Sequence, residues 1–369
     1  MSTALQRNRG WAAASGLCAL ALLLPLIPGF SGQSSVGVIT SIAVAAYLAL
    51  SWNVLGGLAG QLAFGNAVFF GAGAYGTAVF FIHYGWNPLI GGLIGILVAV
   101  VLGLAIGYVG FRYSLSHLGF ALATAAFSLV ALFFVKGIDY LGGAFGLVLP
   151  VHAGAGQLYF TDGRIYYWIF AALVILAMLF TWRLRRGRLG TYFVAIREDE
   201  QAAEASGINV MKTKLIAIAI SAAMTGLGGV FYAHYLRFLS PESIFSFEQS
   251  LQIVIPAMLG GTTMLAGPVV GAIAYGLILE KTKGILDFAG GPEILLGAVL
   301  GAVVLYMPRG ILPTLTDLYL RLRHRHADGG AAGPSPPSHD WGQPFGTRAD
   351  EREPIPAAAR VEGERTSPA

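Results

Sequence analysis

The chain has 369 residues, of which 56% are hydrophobic and only 11% charged, with a formal net charge of +4. A soluble globular domain carries about 25% charged residues, so this composition, with a mean hydropathy of +0.68, excludes one and makes the bilayer the solvent to reason with. The single cysteine, Cys18, excludes a disulfide framework, a zinc cluster or a redox pair, and so small a net charge makes a nucleic acid a poor partner.

Arg7 and Arg9 precede an apolar run from Trp11 to Phe30. The pattern is that of a signal peptide. The run is long enough to span, however, and more runs follow, so a retained first helix is the simpler reading. A spanning helix needs about 20 apolar residues. The candidate spans are 11–30, 36–55, 62–83, 88–111, 118–137, 166–182, 214–237, 249–264, 266–280 and 292–308. The expected fold is an all-α polytopic membrane protein with about 10 transmembrane helices. The number falls to 8 if the stretch 249–280 is a re-entrant element rather than two short spans.

Lysine and arginine placement sets the expected orientation. With the N-terminus in the cytoplasm, Arg112, Arg309 and the run Arg321, Arg323, Arg325 fall inside. So does the loop 183–214, with Arg183, Arg185, Arg186, Arg188, Arg197, Lys212 and Lys214. Lys136, Arg164, Arg237, Lys281 and Lys283 stay outside. Both termini are therefore expected in the cytoplasm. Beyond Ala327 the chain holds seven prolines and almost no aliphatic residues, which reads as a disordered tail. The expected division is an N-terminal segment with the first helix at 1–35, a membrane domain at 36–315 and a cytoplasmic tail at 316–369.

The membrane domain offers no catalytic residues and no metal site. There is no G-x-x-x-x-G-K-[ST], G-x-S-x-G, H-E-x-x-H or C-x-x-C. Asp139, Glu242, Glu248, Glu280 and Glu293 lie at span ends, not in span interiors. An ion-coupled carrier keeps such groups deep in its bundle, so a secondary carrier is disfavoured, as is a cation channel with an acidic ring. The spans do hold neutral polar groups. Asn53, Gln61 and Asn66 flank the first glycine-rich segment, and Gln252 leads into the second, which contains Gly260 and Gly261. Either these groups hydrogen-bond between helices, or they line a weakly polar passage for a small solute. The glycines of "FGNAVFFGAGAYG" (64–76) suit close helix packing or a broken helix facing a solute. "LGGLAGQLAFGNAVFFGAGAYG" (55–76) and "LGGTTMLAGPVVGAIAYG" (259–276) are alike, either as glycine-rich membrane segments are or as two related halves are.

One short stretch breaks the apolar pattern. "REDEQAAEASGIN" (197–209) packs Arg197, Glu198, Asp199, Glu200 and Glu204 around an alanine-rich core. Acidic residues favour a helix N-terminus, and Gly207 can end the helix in a left-handed turn. A short capped helix with small side chains suits a groove on another protein.

This stretch carries a resemblance. "QAAEASG" (201–207) resembles the E-A-A-x-x-x-G coupling motif of ABC importer permeases, with Gln201 in place of Glu. The whole of 184–234 is similar to the same region of the branched-chain amino acid ABC permeases, the LivM type. So are "LSWNVLGGLAGQLAFGNAVFFGAGAY" (50–75), "LGGAFGL" (141–147), "SPESIFSFEQSLQIVIPAMLGGTTMLAGPVVGA" (240–272) and "YMPRGIL" (306–312). The resemblance covers roughly residues 36–315. It implies a subunit of the bacterial inner membrane that works beside a second permease subunit, two ATP-binding cassette subunits and a periplasmic or lipid-anchored solute-binding protein. No cofactor would bind this chain, since ATP and magnesium would sit on the partner subunits. Glu198, Glu200, Gln201, Ala202, Ala203 and Gly207 would couple to an ATPase. Asn53, Gln61, Asn66, Gln252, Gly260 and Gly261 would belong to the translocation pathway. The outer segments 139–165 and 238–248 would meet the binding protein. The implied activity is ATP-driven alternating access for branched-chain or similar hydrophobic amino acids, with urea or a short amide as the other substrate class. An ion-coupled carrier is the reading from outside the family.

Overall fold

The computed structural model describes residues 33–113, 115–150, 158, 160, 162–283, 297, 301, 310–314 and 316, all within one unit, Met1–Leu320. The chain is mostly helical. Helix α1 (Gln33–Asn53) runs into a π-helical turn (Val54–Leu58), and an extended stretch leads to α2 (Asn66–Tyr84). Then come α3 (Pro88–Arg112), α4 (His117–Lys136), a 3-10 turn (Asp139–Leu141) and β1 (Leu147–Val148). After α5 (Gly163–Arg186), two shorter helices, α6 (Arg188–Glu198) and α7 (Glu200–Ala205), precede the long α8 (Val210–Leu236). The described chain continues with β2 (Phe238–Leu239), α9 (Pro241–Phe245), α10 (Phe247–Gly260) and α11 (Gly267–Lys283).

Local chemistry sets these boundaries. Asn87, Ser116, Asp162, Asn209 and Ser246 each accept a backbone N–H in the first turn of the helix that follows, which satisfies donors the helix itself leaves free. Pro88 sits at the first position of α3, where its missing N–H costs nothing. Gly85, at φ 64°, closes α2.

Among the described residues, six helices are long and apolar enough to cross a membrane: Val36–Leu58, Asn66–Tyr84, Pro88–Arg112, His117–Lys136, Gly163–Arg186 and Val210–Leu236. They fall on the expected spans 36–55, 62–83, 88–111, 118–137, 166–182 and 214–237. The expected span 11–30 lies outside the described residues, as do the span 292–308 and the tail apart from 297, 301 and 316. The stretch 249–280 forms two helices, α10 of 14 residues and α11 of 17, packed against each other. At 1.5 Å per residue α10 is about 21 Å long, short of the roughly 30 Å hydrocarbon core. Pro256 lies inside it.

Glycine lets the helices approach. A Cβ on Gly73 would meet the Gly226 carbonyl of α8, and one on Gly76 would meet the backbone of Gly95 on α3. The stretch 64–76 is thus a packing surface. Its helix is continuous from Asn66, and the break lies just ahead of it, at 54–65. Without a hydrophobic drive between helices in lipid, such close packing supplies the association energy. On the outer faces of α3 and α4, Leu93, Leu97, Val101, Leu122, Val130 and Phe133 are all exposed. That is an exterior for lipid or protein, not for water.

Candidate functional site

Two features sit at opposite ends of α8, whose 27 residues span about 40 Å. At its N-terminal end lie the loop helices α6 and α7, together with the break after α1. At its C-terminal end lies the β1–β2 ribbon.

The break is held by hydrogen bonds from every side. The Trp52 indole N–H donates to the Ala63 carbonyl (2.8 Å). The backbone N–H of Phe64 donates to Thr124 Oγ1 on α4 (3.0 Å), and that of Ala67 to Ser250 Oγ on α10 (3.1 Å). Backbone groups buried away from water must find such partners. Two side chains beside the break do not. Asn53 and Asn66 are 1% and 0% exposed. Asn53 Oδ1 and both polar atoms of the Asn66 amide find no hydrogen-bond partner among the described residues. Each such group costs about 1–3 kcal/mol to keep buried.

The loop helices are built as the sequence suggests, with one shift. Asp199 is the N-cap of α7 and accepts from the N–H groups of Gln201 and Ala202 (2.8 and 3.0 Å). Glu198 therefore ends α6 and does not belong to α7, and it pairs with Arg197 (2.5 Å). Gly207, at φ 84°, lets its own N–H reach Glu204 O and that of Ile208 reach Ala203 O, which closes the helix. Ala203 is buried at 4%, while Gln201, Ala202, Glu204 and Ala205 are exposed. The free side of α7 is thus small and polar.

This loop is clamped to the bundle. Phe193 and Ile196 of α6 are almost fully buried, Phe193 in the core cluster that holds Val54, Leu55, Leu58 and Ile218. Glu200 Oε1 accepts from Lys214 Nζ of α8 (2.5 Å) and from Gln61 Nε2 in the break (3.1 Å). The Lys214 ammonium lies 5.3 Å from the centre of the Phe111 ring. Gln61 and Glu200, expected in separate roles, are direct partners.

The second glycine motif has a mainly structural job. A Cβ on Gly260 would strike the Gly267 carbonyl, and Gly261 has φ 101°. Gln252 is half-buried, and its amide donates to Glu248 one turn earlier (3.1 Å). What sequence reasoning missed are the arginines. Arg197 Nη1 donates to the Gly57 carbonyl (3.0 Å) and Arg185 Nη2 to that of Thr263 (2.5 Å). The sequence reading weighed Arg185 as a marker of topology, and Arg197 as that and as part of the charged stretch 197–209, but neither as a partner of a glycine turn.

At the other end, β1 pairs antiparallel with β2, with Leu147 opposite Leu239 and Val148 opposite Phe238. Lys136 of α4 reaches Glu242 of α9 (2.5 Å). The motif 141–147 and the segment 238–248, expected on one face, are thus joined in one ribbon. The Glu242 carboxyl is held below the usual carboxylate range by the hydrogen bond and charge of Lys136. Among the described residues, no group of three or more His, Cys, Asp or Glu side chains is placed to hold a metal ion.

Six long apolar helices around a break sealed by hydrogen bonds define a multi-pass membrane protein. Residues 34–308 match the family model described as branched-chain amino acid transport system / permease component, and the chain belongs to that family. A member of it is a transport permease subunit and not itself an enzyme. The chain is 29% identical over 342 residues to the high-affinity branched-chain amino acid transport system permease protein LivM of Escherichia coli (strain K12), covering 85% of this chain and 78% of that protein. To the probable branched-chain amino acid transport permease protein LivM of Methanocaldococcus jannaschii it is 26% identical over 251 residues, 62% of this chain and 70% of that protein. A shorter match, 30% over 125 residues, reaches the ribose import permease protein RbsC of Escherichia coli (strain K12), covering 33% and 37% of the two chains.

Proposed function

We propose that this chain is one permease subunit of an ABC importer, in the bacterial inner membrane, that passes branched-chain amino acids by ATP-driven alternating access. The observation that carries the reading is α7: a capped helix, buried on one side through Ala203, open on the other through Gln201, Ala202 and Ala205, and braced to the bundle through Glu200. An ATPase subunit would dock on the open side. A second permease subunit would complete the passage, and a solute-binding protein would meet the ribbon of β1, β2 and α9.

About 10 membrane helices with both termini in the cytoplasm suits this role. The charges support that orientation. Arg183, Arg185, Arg186, Arg188, Arg197, Lys212 and Lys214 crowd the α6–α7 end, against Lys136, Arg164, Arg237, Lys281 and Lys283 assigned to the other. Asn53 and Asn66 would be the polar groups of the passage, with Asn53 Oδ1 and the Asn66 amide left without partners among the described residues because they serve another state or the solute. To shift a two-state passage from 1:99 to 99:1 takes about 5.5 kcal/mol of preference, which closure of an ATPase pair would supply.

Reconstitution with the ATPase and binding-protein subunits tests the reading. Leucine uptake into vesicles should require ATP inside the compartment that α7 faces and persist with an uncoupler. Uptake that survives without ATP but collapses with the uncoupler would instead favour an ion-coupled carrier.

A further inference from the structure

The two L-G-G motifs, at 55–57 and 259–261, lie far apart in sequence. In the fold their turns touch: a Cβ on Gly57 would lie 2.9 Å from the Thr262 carbonyl. Each turn gives one carbonyl to a guanidinium. Arg197, in the last turn of α6, holds Gly57 O in the π-helical turn. Arg185, in the last turn of α5, holds Thr263 O in the turn between α10 and α11. Carbonyls at helix ends lack an intrahelical partner, and a charged donor makes the strongest replacement. Gly60 makes room for this. It has φ 71°, and a Cβ there would lie 2.6 Å from Arg197 Cγ.

Arg197 also pairs with Glu198 (2.5 Å), beside Asp199, which caps α7. The chain of contacts is therefore short: α7, Asp199 and Glu198, Arg197, then Gly57, with Arg185 on the adjoining turn. We propose that Arg197 and Arg185 are positioning residues that tie the loop helix α6 and the adjoining end of α5 to the two touching glycine turns, so that a displacement of α7 moves Gly57 and Thr263 together. The inference rests on the permease reading above.

The test uses the reconstituted transporter in vesicles, with ATP hydrolysis and leucine uptake measured on the same preparation and assembly checked by copurification. Arg185→Gln and Arg197→Gln should assemble and hydrolyse ATP near the wild-type rate, while uptake per ATP falls about tenfold or more. Arg197→Lys should recover part of the uptake, because an ammonium can still donate to Gly57 O. Gly60→Ala, which displaces the Arg197 stem without altering charge, should uncouple in the same way. A second measurement does not depend on uptake. With Cys18→Ser, a cysteine replacing Thr262 should change its thiol labelling on ATP addition, and that change should vanish in Arg185→Gln. Uptake and hydrolysis that fall in parallel, uptake that is unaffected, or labelling that still follows ATP in Arg185→Gln would each overturn the inference alone. Wild-type vesicles without ATP-driven uptake would overturn the permease reading and this inference with it.

Discussion

Ala202 and Ala203 are neighbours with opposite surroundings. Ala203 is packed beneath α7, and Ala202 is exposed. Ala202→Arg should leave the fold intact, with an unchanged Tm in detergent, while ATP-driven uptake is lost. Ala203→Arg should lower the Tm as well, because its guanidinium has no space. Equal Tm losses in the two variants would contradict the assigned faces. Gly207, at φ 84°, cannot become proline, whose φ is fixed near −65°. Even Gly207→Ala should cost about 1 kcal/mol locally. Asn66 poses the reverse case. Asn66→Leu removes a buried amide without partners among the described residues and should raise thermal stability by about 1 kcal/mol while reducing uptake. A higher Tm with full uptake would make Asn66 a packing residue only. Which of these residues matter was partly legible in the sequence. The acidic run and Gly207 announce a capped helix, but a one-dimensional pattern does not say which alanine faces inward or that Gln61 meets Glu200.

Among elements, the long apolar runs were readable because length and hydropathy decide a spanning helix. The shortness of α10 was legible, since 249–264 was read as one of two short spans or as part of a re-entrant element. The gap between the spans 36–55 and 62–83 was read as well, but the π-helical turn inside 54–65 was not, because such a turn adds a residue without changing composition. The ribbon escaped too, since β1 and β2 are two residues each and are paired by tertiary context. Its ion pair carries a pH signature. The Glu242 carboxyl titrates below the usual carboxylate range because of Lys136. Its contribution to stability is therefore present above the ordinary carboxylate pKa and is lost as the pH falls through the lowered folded value. The Tm difference between wild type and Glu242→Gln should be present at neutral pH and close in acid. A gap that widens in acid would contradict the assignment.

For the whole molecule, the proposed orientation puts α7 in the cytoplasm and the ribbon outside. With Cys18→Ser, a cysteine replacing Ser206 should react with an impermeant thiol reagent only from the cytoplasmic side, and one replacing Ser243 only from the outer side. Both positions are exposed. Labelling of both from one side would break the topology. The family was legible from motifs that survive as turns and caps: the glycine turns at 55–57 and 259–261, the left-handed glycines of 141–147 and the closure at Gly207. What stayed hidden was their assembly, because contacts such as Arg197 to Gly57 join residues 140 positions apart. The most direct test of the central claim is purification of the tagged chain from its native membrane in mild detergent, followed by assay of bound ATPase subunits. The account predicts that ATPase subunits and ATP hydrolysis copurify with the wild type and are lost with Ala202→Arg. A well-folded chain that purifies alone and without hydrolysis would contradict it.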